Sequence, residues 1–380
     1  MIEKLEYWWR HRIVYPFLRG LFHNPVQDST IDIRSIKSIL ILRYDRIGDM
    51  IVTTPIFRKL KEVHPELTIG VFASETNAEI IRNNPFVDSI YVLHSNWLRL
   101  ISEILKARRS HYEIVLNLIF NRTSSGGILA NLISPSGIKI GQGDEKYRFY
   151  FNRLLKINRN KSHMIETLVF IIKEVFNIQL AVDQLKYEIV IDDKTINNVH
   201  AYLAKYNLVP RNQYVPGKSF YIVFNFSAND TVRKISPEQA YAIGRHLGSY
   251  AAFRTVLLHA PQDQSMFVVK QDLVKTSKCL AFPDRGNATL LEIEAFIEGA
   301  IAVITPDTSI IHFASAANTP VIGFYTQMQD MHEWLPHQVK HRLVISPVNT
   351  PTSAIPIATM IENIDDFIRE LEITSRNKYV

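Results

Sequence analysis

Two stretches of this 380-residue chain hold residues whose types and spacing could do chemistry. The first, Arg43-Tyr-Asp-Arg-Ile-Gly-Asp-Met-Ile-Val-Thr-Thr-Pro55, gathers Asp45, Arg46 and Asp49 around a single glycine. They stand at the carboxyl end of an apolar strand, where loops carry ligands in open α/β sheets. The second, Val303-Ile-Thr-Pro-Asp-Thr-Ser-Ile-Ile-His312, is followed by a small-residue run from Phe313 to Pro320. Asp307, Thr308 and Ser309 can cap a helix there, and the amides at a helix start suit a phosphate or diphosphate. The plain alternative is an ordinary strand-helix unit whose Asp only caps its helix. A third stretch, residues 139 to 161, carries seven Lys or Arg against Asp144 and Glu145, with Tyr147, Phe149, Tyr150 and Phe151 interleaved. It suits phosphorylated carbohydrate, anionic lipid or nucleic acid, or is a solvated charged face.

The elements around these stretches alternate. Ile36 to Leu42 reads as a buried parallel strand, Gly48 permits a tight turn, and Asp49 to Lys61 follows as a helix. Strands at 68–73, 89–93, 113–119 and near Ile138 alternate with helices at 76–83, 97–109 and 128–133, the last preceded by a loop from Asn121 to Gly127. His163 opens a helix toward Phe176. After a junction the rhythm repeats, with strands at 220–226, 254–259, 279–282 and 301–305 and helices at 236–247, 264–275 and 289–298. Pro306 breaks the strand before the Asp307 helix, Val321 to Tyr325 is a further strand, and residues 360–372 form a last helix. This predicts an α/β protein with two doubly wound, Rossmann-like domains. The expected boundaries are an arm at 1–36, a first domain at 37–188, a linker region at 189–218, a second domain at 219–355, and a C-terminal helix and tail at 356–380.

Composition narrows the class. The chain is 47% hydrophobic and 21% charged, with a net charge of +6, as in globular proteins that permit an acidic partner and select none. One cysteine, Cys279, excludes an internal disulfide and fits a reducing compartment. No apolar run spans a membrane, and Glu3 and Glu6 stand where a secretory signal needs basic residues. Trp8, Trp9, Tyr15, Phe17 and Phe22 among Arg10, Arg12 and Arg19 suit a helix lying in a membrane interface. The same arm could instead pack on the protein's own core or on a second subunit.

The stretch from Ile39 to Pro55 resembles the opening of glycosyltransferase family 9, the ADP-heptose:lipopolysaccharide heptosyltransferases. Asp307 to Ile322 resembles that family's second signature, and Asn84 to Asp88, His163 to Glu166 and Arg233 to Glu238 match weaker landmarks in order. The similarity covers residues 37 to 372 and implies the GT-B architecture, with the acceptor on the first domain, the nucleotide-sugar on the second, and inversion at the anomeric carbon. It implies Asp49 as catalytic base. It implies donor contacts from Arg233, Lys234, Asp263 on the ribose, Asp307, Thr308, Ser309 and His312. Arg46, Lys146 and Arg148 are the candidates for holding the acceptor. Two positions depart from the pattern, Ser309 for a glycine and Ile235 for a tryptophan, and they leave the donor sugar open. No Asp-x-Asp pair lies in a metal-binding loop, so transfer without metal or cofactor is expected. The expected partners are a nucleotide-diphosphate sugar, with ADP-heptose first, and a lipid-linked or phosphorylated glycan acceptor. The inner membrane surface is a further expected partner and nucleic acid is not, giving a cytoplasmic protein peripheral to the inner membrane. A transferase or epimerase using another nucleotide sugar, or a degenerate scaffold in glycan assembly, shares these features.

Overall fold

Ile39, Leu40, Ile41 and Leu42 are completely buried, as a strand covered by helices on both faces requires. In the computed structural model, which describes residues 12, 14–22, 24–120, 123–157, 162–327 and 331–376 (the last five as backbone only), that strand is the centre of a parallel sheet. The chain divides into two compact units, Met1–Arg159 with Met164–Leu185, and Asn160–His163 with Lys186–Val380.

The first unit runs α1 (Tyr15–Leu21), β1 (Ser38–Leu42), α2 (Ile47–Val63), β2 (Thr68–Ser74), β3 (Ser89–Leu93), α3 (Trp97–Arg109), β4 (Ile114–Asn117), α4 (Thr123–Ile133), β5 (Ile138–Gln142), β6 (Arg153–Leu155) and α5 (Met164–Phe176). Its strands lie in the order β3-β2-β1-β4-β5-β6, all parallel, with Ile41 facing Val71 on one side and Leu116 on the other. The second unit runs α6 (Asp193–Lys205), β7 (Phe220–Asn225), α7 (Pro237–Gly248), β8 (Phe253–Leu258), α8 (Gln264–Thr276), β9 (Leu280–Ala281), α9 (Leu290–Glu298), β10 (Val303–Pro306), α10 (Ser309–Ala316), β11 (Val321–Tyr325), β12 (His341–Ile345) and α11 (Ile357–Arg376). Its order is β12-β11-β10-β7-β8-β9, again all parallel. Each sheet therefore reverses direction once, between β1 and β4 and between β7 and β10. A crevice opens at the carboxyl edge of an open sheet at such a switch point, and ligands settle there.

Several expectations change. Gly48 is the second residue of α2 and not a turn, because the chain already turns at Arg46, the extended residue before the helix. The helix expected at 76–83 shrinks to a single 3-10 turn, Ala78–Ile81. Helix α4 starts at Thr123, so Gly126 and Gly127 are helical where a loop was expected. Added Cβ atoms there would come within 2.5 Å of the Asn117 side chain and of the Tyr150 ring. Glycine costs helix propensity but allows this approach. Strand β12 was not expected. The stretch from 189 to 218 contains α6, which packs on α9, and α11 lays Met360, Ile364, Phe367 and Ile368 into the core of the second unit. The 189–218 stretch therefore belongs to that unit and is not a linker, and the expected C-terminal helix is present and packs within the same unit. Pro306 is the last residue of β10 and does not break it.

The described part of the arm packs on its own unit. Tyr15 is buried, its ring meets Tyr147, Phe149 and Tyr150, and its hydroxyl lies 3.3 Å from Ser124 Oγ. Trp8, Trp9 and Arg10 lie outside the described residues. Tyr15→Ala should cost about 3 kcal/mol of stability, measured by urea unfolding, because it empties the centre of this aromatic cluster.

Candidate active site

In the first unit the chain leaves β1 through Arg43, whose side chain is completely buried. Its guanidinium spreads over the crevice. One nitrogen donates to Asp49 Oδ1 at 3.0 Å, another to Asp45 Oδ2 at 3.0 Å and to the Leu118 carbonyl just past β4. The Nε donates to Thr53 Oγ1 at 3.0 Å and to the Asp49 carbonyl at 3.1 Å. One cation thus fixes two carboxylates and ties the start of α2 to both strands at the switch point. A buried arginine is tolerable because every donor that the desolvation strands finds an acceptor. Asp49 sits in the first turn of α2 and is nearly buried, but it does not cap the helix. Arg46, exposed, occupies the capping position without a side-chain bond.

The sequence marks Asp45 together with Arg46 and Asp49 but gives it no role of its own. Burial pushes its carboxyl up to about 7 from an ordinary 3.8, Arg43 opposes that shift, and the charge on Asp49 adds to it. The folded state therefore holds a proton that the unfolded chain has lost. Its contribution to stability is complete below 3.8 and disappears as pH rises through about 7. Asp45→Asn should flatten the fall in melting temperature between pH 5 and pH 8, and a slope equal to that of the wild type would contradict this.

Of the five described cations of 139–161, Lys139 and Arg153 are architecture, while Lys146, Arg148 and Lys156 stay at or near the surface. Lys139 is buried and donates to the carbonyls of Ser134, Pro135 and Gly137, and Arg153 donates to the Ser29 carbonyl. Tyr150 and Phe151 are core residues, so the interleaved aromatics do not form a binding surface. Lys146 and Arg148 lie on a 3-10 turn just after β5, at the same carboxyl edge as Asp49, two strands away from β1. Lys146 pairs with Asp144 at 3.2 Å, and Arg148 with Glu145 at 3.1 Å and Asp28 at 3.5 Å. Arg159 and Lys161 lie outside the described residues.

In the second unit five of the seven expected donor residues gather at the β7–β10 switch point. Thr308 is the N-cap of α10, and its hydroxyl and carbonyl accept from the amides of Ile310 and Ile311. Asp307 does not cap. Its carboxylate pairs with Arg233 at 3.0 Å, and both side chains are largely buried. Ser309 is the first residue of the helix. His312, one turn on, is buried against Tyr187 and Trp334. Burial, His163, His337 and Arg233 together lower its pKa to about 3, so it is a neutral imidazole at pH 7. Among the described residues its Nδ1 and the Tyr187 hydroxyl are buried without a hydrogen-bond partner.

Lys234 and Asp263 form a second pair, at 3.0 Å, beyond the end of β8. Burial pushes the Asp263 carboxyl up, but bonds from Ser265 and Lys234 outweigh it and hold the group below its ordinary value. Ile235, at the position where the resemblance leads one to expect tryptophan, is in the core and offers nothing to a ligand. Two residues missed in the sequence complete the crevice. Asn225 at the end of β7 donates to Thr305 Oγ1 at 2.8 Å and to Thr308 Oγ1 at 3.4 Å, and Ser227 Oγ accepts the Ala260 amide at 2.6 Å. Their signal was position: polar residues directly after a buried strand, as with Arg43 and Asp45. Among the described residues no group of three or more His, Cys, Asp and Glu is placed to hold a metal ion.

Comparison with known proteins gives these sites a family. The model of glycosyltransferase family 9 (heptosyltransferase) matches residues 101–355. The lipopolysaccharide core heptosyltransferase OpsX of Haemophilus influenzae is 19% identical over 296 residues, which are 76% of this chain and 79% of that protein. The crystal structure of a family 9 glycosyl transferase from Veillonella parvula superposes with a TM-score of 0.74 at 17% identity, covering 90% of this chain and 99% of the other. The E. coli heptosyltransferase WaaC with ADP superposes with a TM-score of 0.66 at 15% identity, covering 88% and 99%. With two parallel six-stranded sheets of this topology and a family match over most of its length, the chain belongs to glycosyltransferase family 9 and is a heptosyltransferase-like glycosyltransferase of the GT-B fold.

Proposed function

We propose that the protein moves a heptose or related sugar from an ADP-linked donor to a lipopolysaccharide-core or other surface-glycan acceptor, with inversion and without a metal ion. The observation that carries this reading is the Arg233–Asp307–Thr308 cluster at the switch point of the second sheet, with Lys234 and Asp263 beside it. Such a crevice suits a nucleoside diphosphate, with Asp263 toward the ribose. In the transfer the acceptor oxygen forms its bond to the anomeric carbon on the face opposite the leaving group. The bond from that carbon to the diphosphate breaks, and its electron pair stays on the phosphate oxygen. Asp49 of the first unit takes the acceptor's proton. Arg233, Lys234 and the Ser309 amide at the start of α10 stabilise the charge growing on the diphosphate. Asp307 would repel that charge, so its work is to hold Arg233 in place. The names of the relatives support the donor and acceptor classes, since OpsX is a lipopolysaccharide core heptosyltransferase and the WaaC structure is one with ADP.

The test offers ADP-, UDP- and GDP-sugars with a lipopolysaccharide-core acceptor and measures nucleoside diphosphate release, with and without a chelator. The expected result is release from the ADP-sugar, unchanged by chelation. Release only from a UDP- or GDP-sugar, or its loss on chelation, would overturn the corresponding part of the proposal.

A further inference from the structure

We propose that α3 is the element that seats this protein on an anionic phospholipid surface. The helix is apolar on two sides and only one is used inside. Ala107 is buried, and Leu100 and Ile104 pack on the core beside β3. On the other side Trp97 is 66% exposed, Leu98 59%, Ile101 45% and Leu105 47%. At 3.6 residues per turn these four fall in an arc of about 100°. They form a second apolar stripe that the fold of the unit does not cover. Leu132, at the end of α4, is also exposed and continues it, joined through the bond from Arg108 to its carbonyl. Isolated exposed apolar residues need no explanation, but a contiguous stripe of this kind marks a contact surface.

Charge selects the partner. Arg109 borders the stripe, Arg108 lies within its C-terminal end with its guanidinium on the Leu132 carbonyl, and exposed Arg99 and Lys106 stand about 80–100° beyond its edge, within reach of headgroups through their long side chains. The only acid of the helix, Glu103, faces the inner side, where it accepts from the Val92 amide and from Lys106. A tryptophan and aliphatic residues framed by cations, with no acid among them, complement lipid chains beneath anionic headgroups. The placement is also useful. Helix α3 begins just after the carboxyl end of β3, on the sheet edge from which Arg46 and Asp49 emerge, because β1, β2 and β3 are parallel. Docking through the Trp97 end turns that edge toward the bilayer. Its value for a lipid-linked acceptor rests on the function proposed above, but the docking itself does not.

The experiment is co-sedimentation of the full chain with phosphatidylglycerol and with phosphatidylcholine vesicles. The wild type should bind the anionic vesicles, with affinity that falls as salt rises. Serine at Trp97, Leu98, Ile101 and Leu105 together should weaken partitioning at least about tenfold. Arg99→Gln and Arg109→Gln should each weaken it about fivefold. Circular dichroism and donor turnover with a soluble acceptor should stay as in the wild type, which separates docking from folding and from catalysis. The proposal is overturned if the wild type ignores anionic vesicles, or if the fourfold variant binds them unchanged. It is equally overturned if Phe17→Ser with Leu21→Ser on α1 releases the protein while the α3 variant does not. Concentration-dependent dimers of the wild type that the fourfold variant abolishes, without vesicle binding, would assign the face to a second copy.

Discussion

Asp49→Asn should lower kcat about a thousandfold while donor affinity stays within twofold of wild type, about the scale of a lost general base. The exchange keeps the shape of the side chain and removes its basicity. It also leaves Arg43 with an ionisable partner, because Asp45 sits on the other nitrogen of the same guanidinium. The fold should therefore survive, and melting temperature serves as the control. Arg43→Ala would not be an equivalent probe. It would leave one nearly buried and one partly buried carboxylate without the cation that stood 3.0 Å from each, and loss of one partner of a buried pair costs about 3–5 kcal/mol. An Asp49→Asn enzyme with undiminished turnover would remove Asp49 as the base and direct attention to Asp45.

The second large effect belongs to Arg233. Arg233→Ala should cost about a hundredfold in kcat/KM, the scale of one lost charge contact to a transition state. The geometry adds a second penalty. The Asp307 carboxylate, largely buried and paired with Arg233, would be left facing the incoming diphosphate with its counter-charge gone. Much of the loss is then repulsion by Asp307 and not absence of Arg233. The double variant Arg233→Ala with Asp307→Asn should recover part of the activity, and Arg233→Lys should fall between the two. If the double variant loses the product of the two single losses, the side chains act independently and Asp307 does not serve to position Arg233.

Much of this was legible in the sequence because its causes are local. Runs such as Ile39 to Leu42 and Val321 to Tyr325 can only be covered strands, and Asn96 and Thr289 are the caps that start α3 and α9. The two motifs lay after such strands, so their place at sheet edges followed. What was not legible depends on contacts between distant segments. Gly126 and Gly127 read as a loop, since only Asn117 and Tyr150 reveal why the helix must contain them. Strand β12 lies at the edge of its sheet with a mostly uncovered surface, so it lacks the unbroken apolar run that marks a central strand. Arg43 looked like the polar end of a strand, and its grip on Asp45, Asp49 and the Leu118 carbonyl needs the β1–β4 crevice to form. The pairing of Arg233 with Asp307 joins two loops far apart in sequence. It turned an expected helix cap into the support of a cation. The cations of 139–161 show the reverse error, where composition suggested a ligand surface and burial shows a scaffold for Lys139 and Arg153.

The central claim is that the second unit holds a nucleoside diphosphate at the α10 edge of its sheet. Isothermal titration of ADP into the full chain in the presence of a chelator tests it most directly, beside the Arg233→Ala and Asp49→Asn variants. Saturable one-to-one binding that Asp49→Asn keeps and Arg233→Ala weakens at least about tenfold is the expected result. Failure of ADP, UDP and GDP alike to bind the wild type, or equal binding by Arg233→Ala, would contradict it.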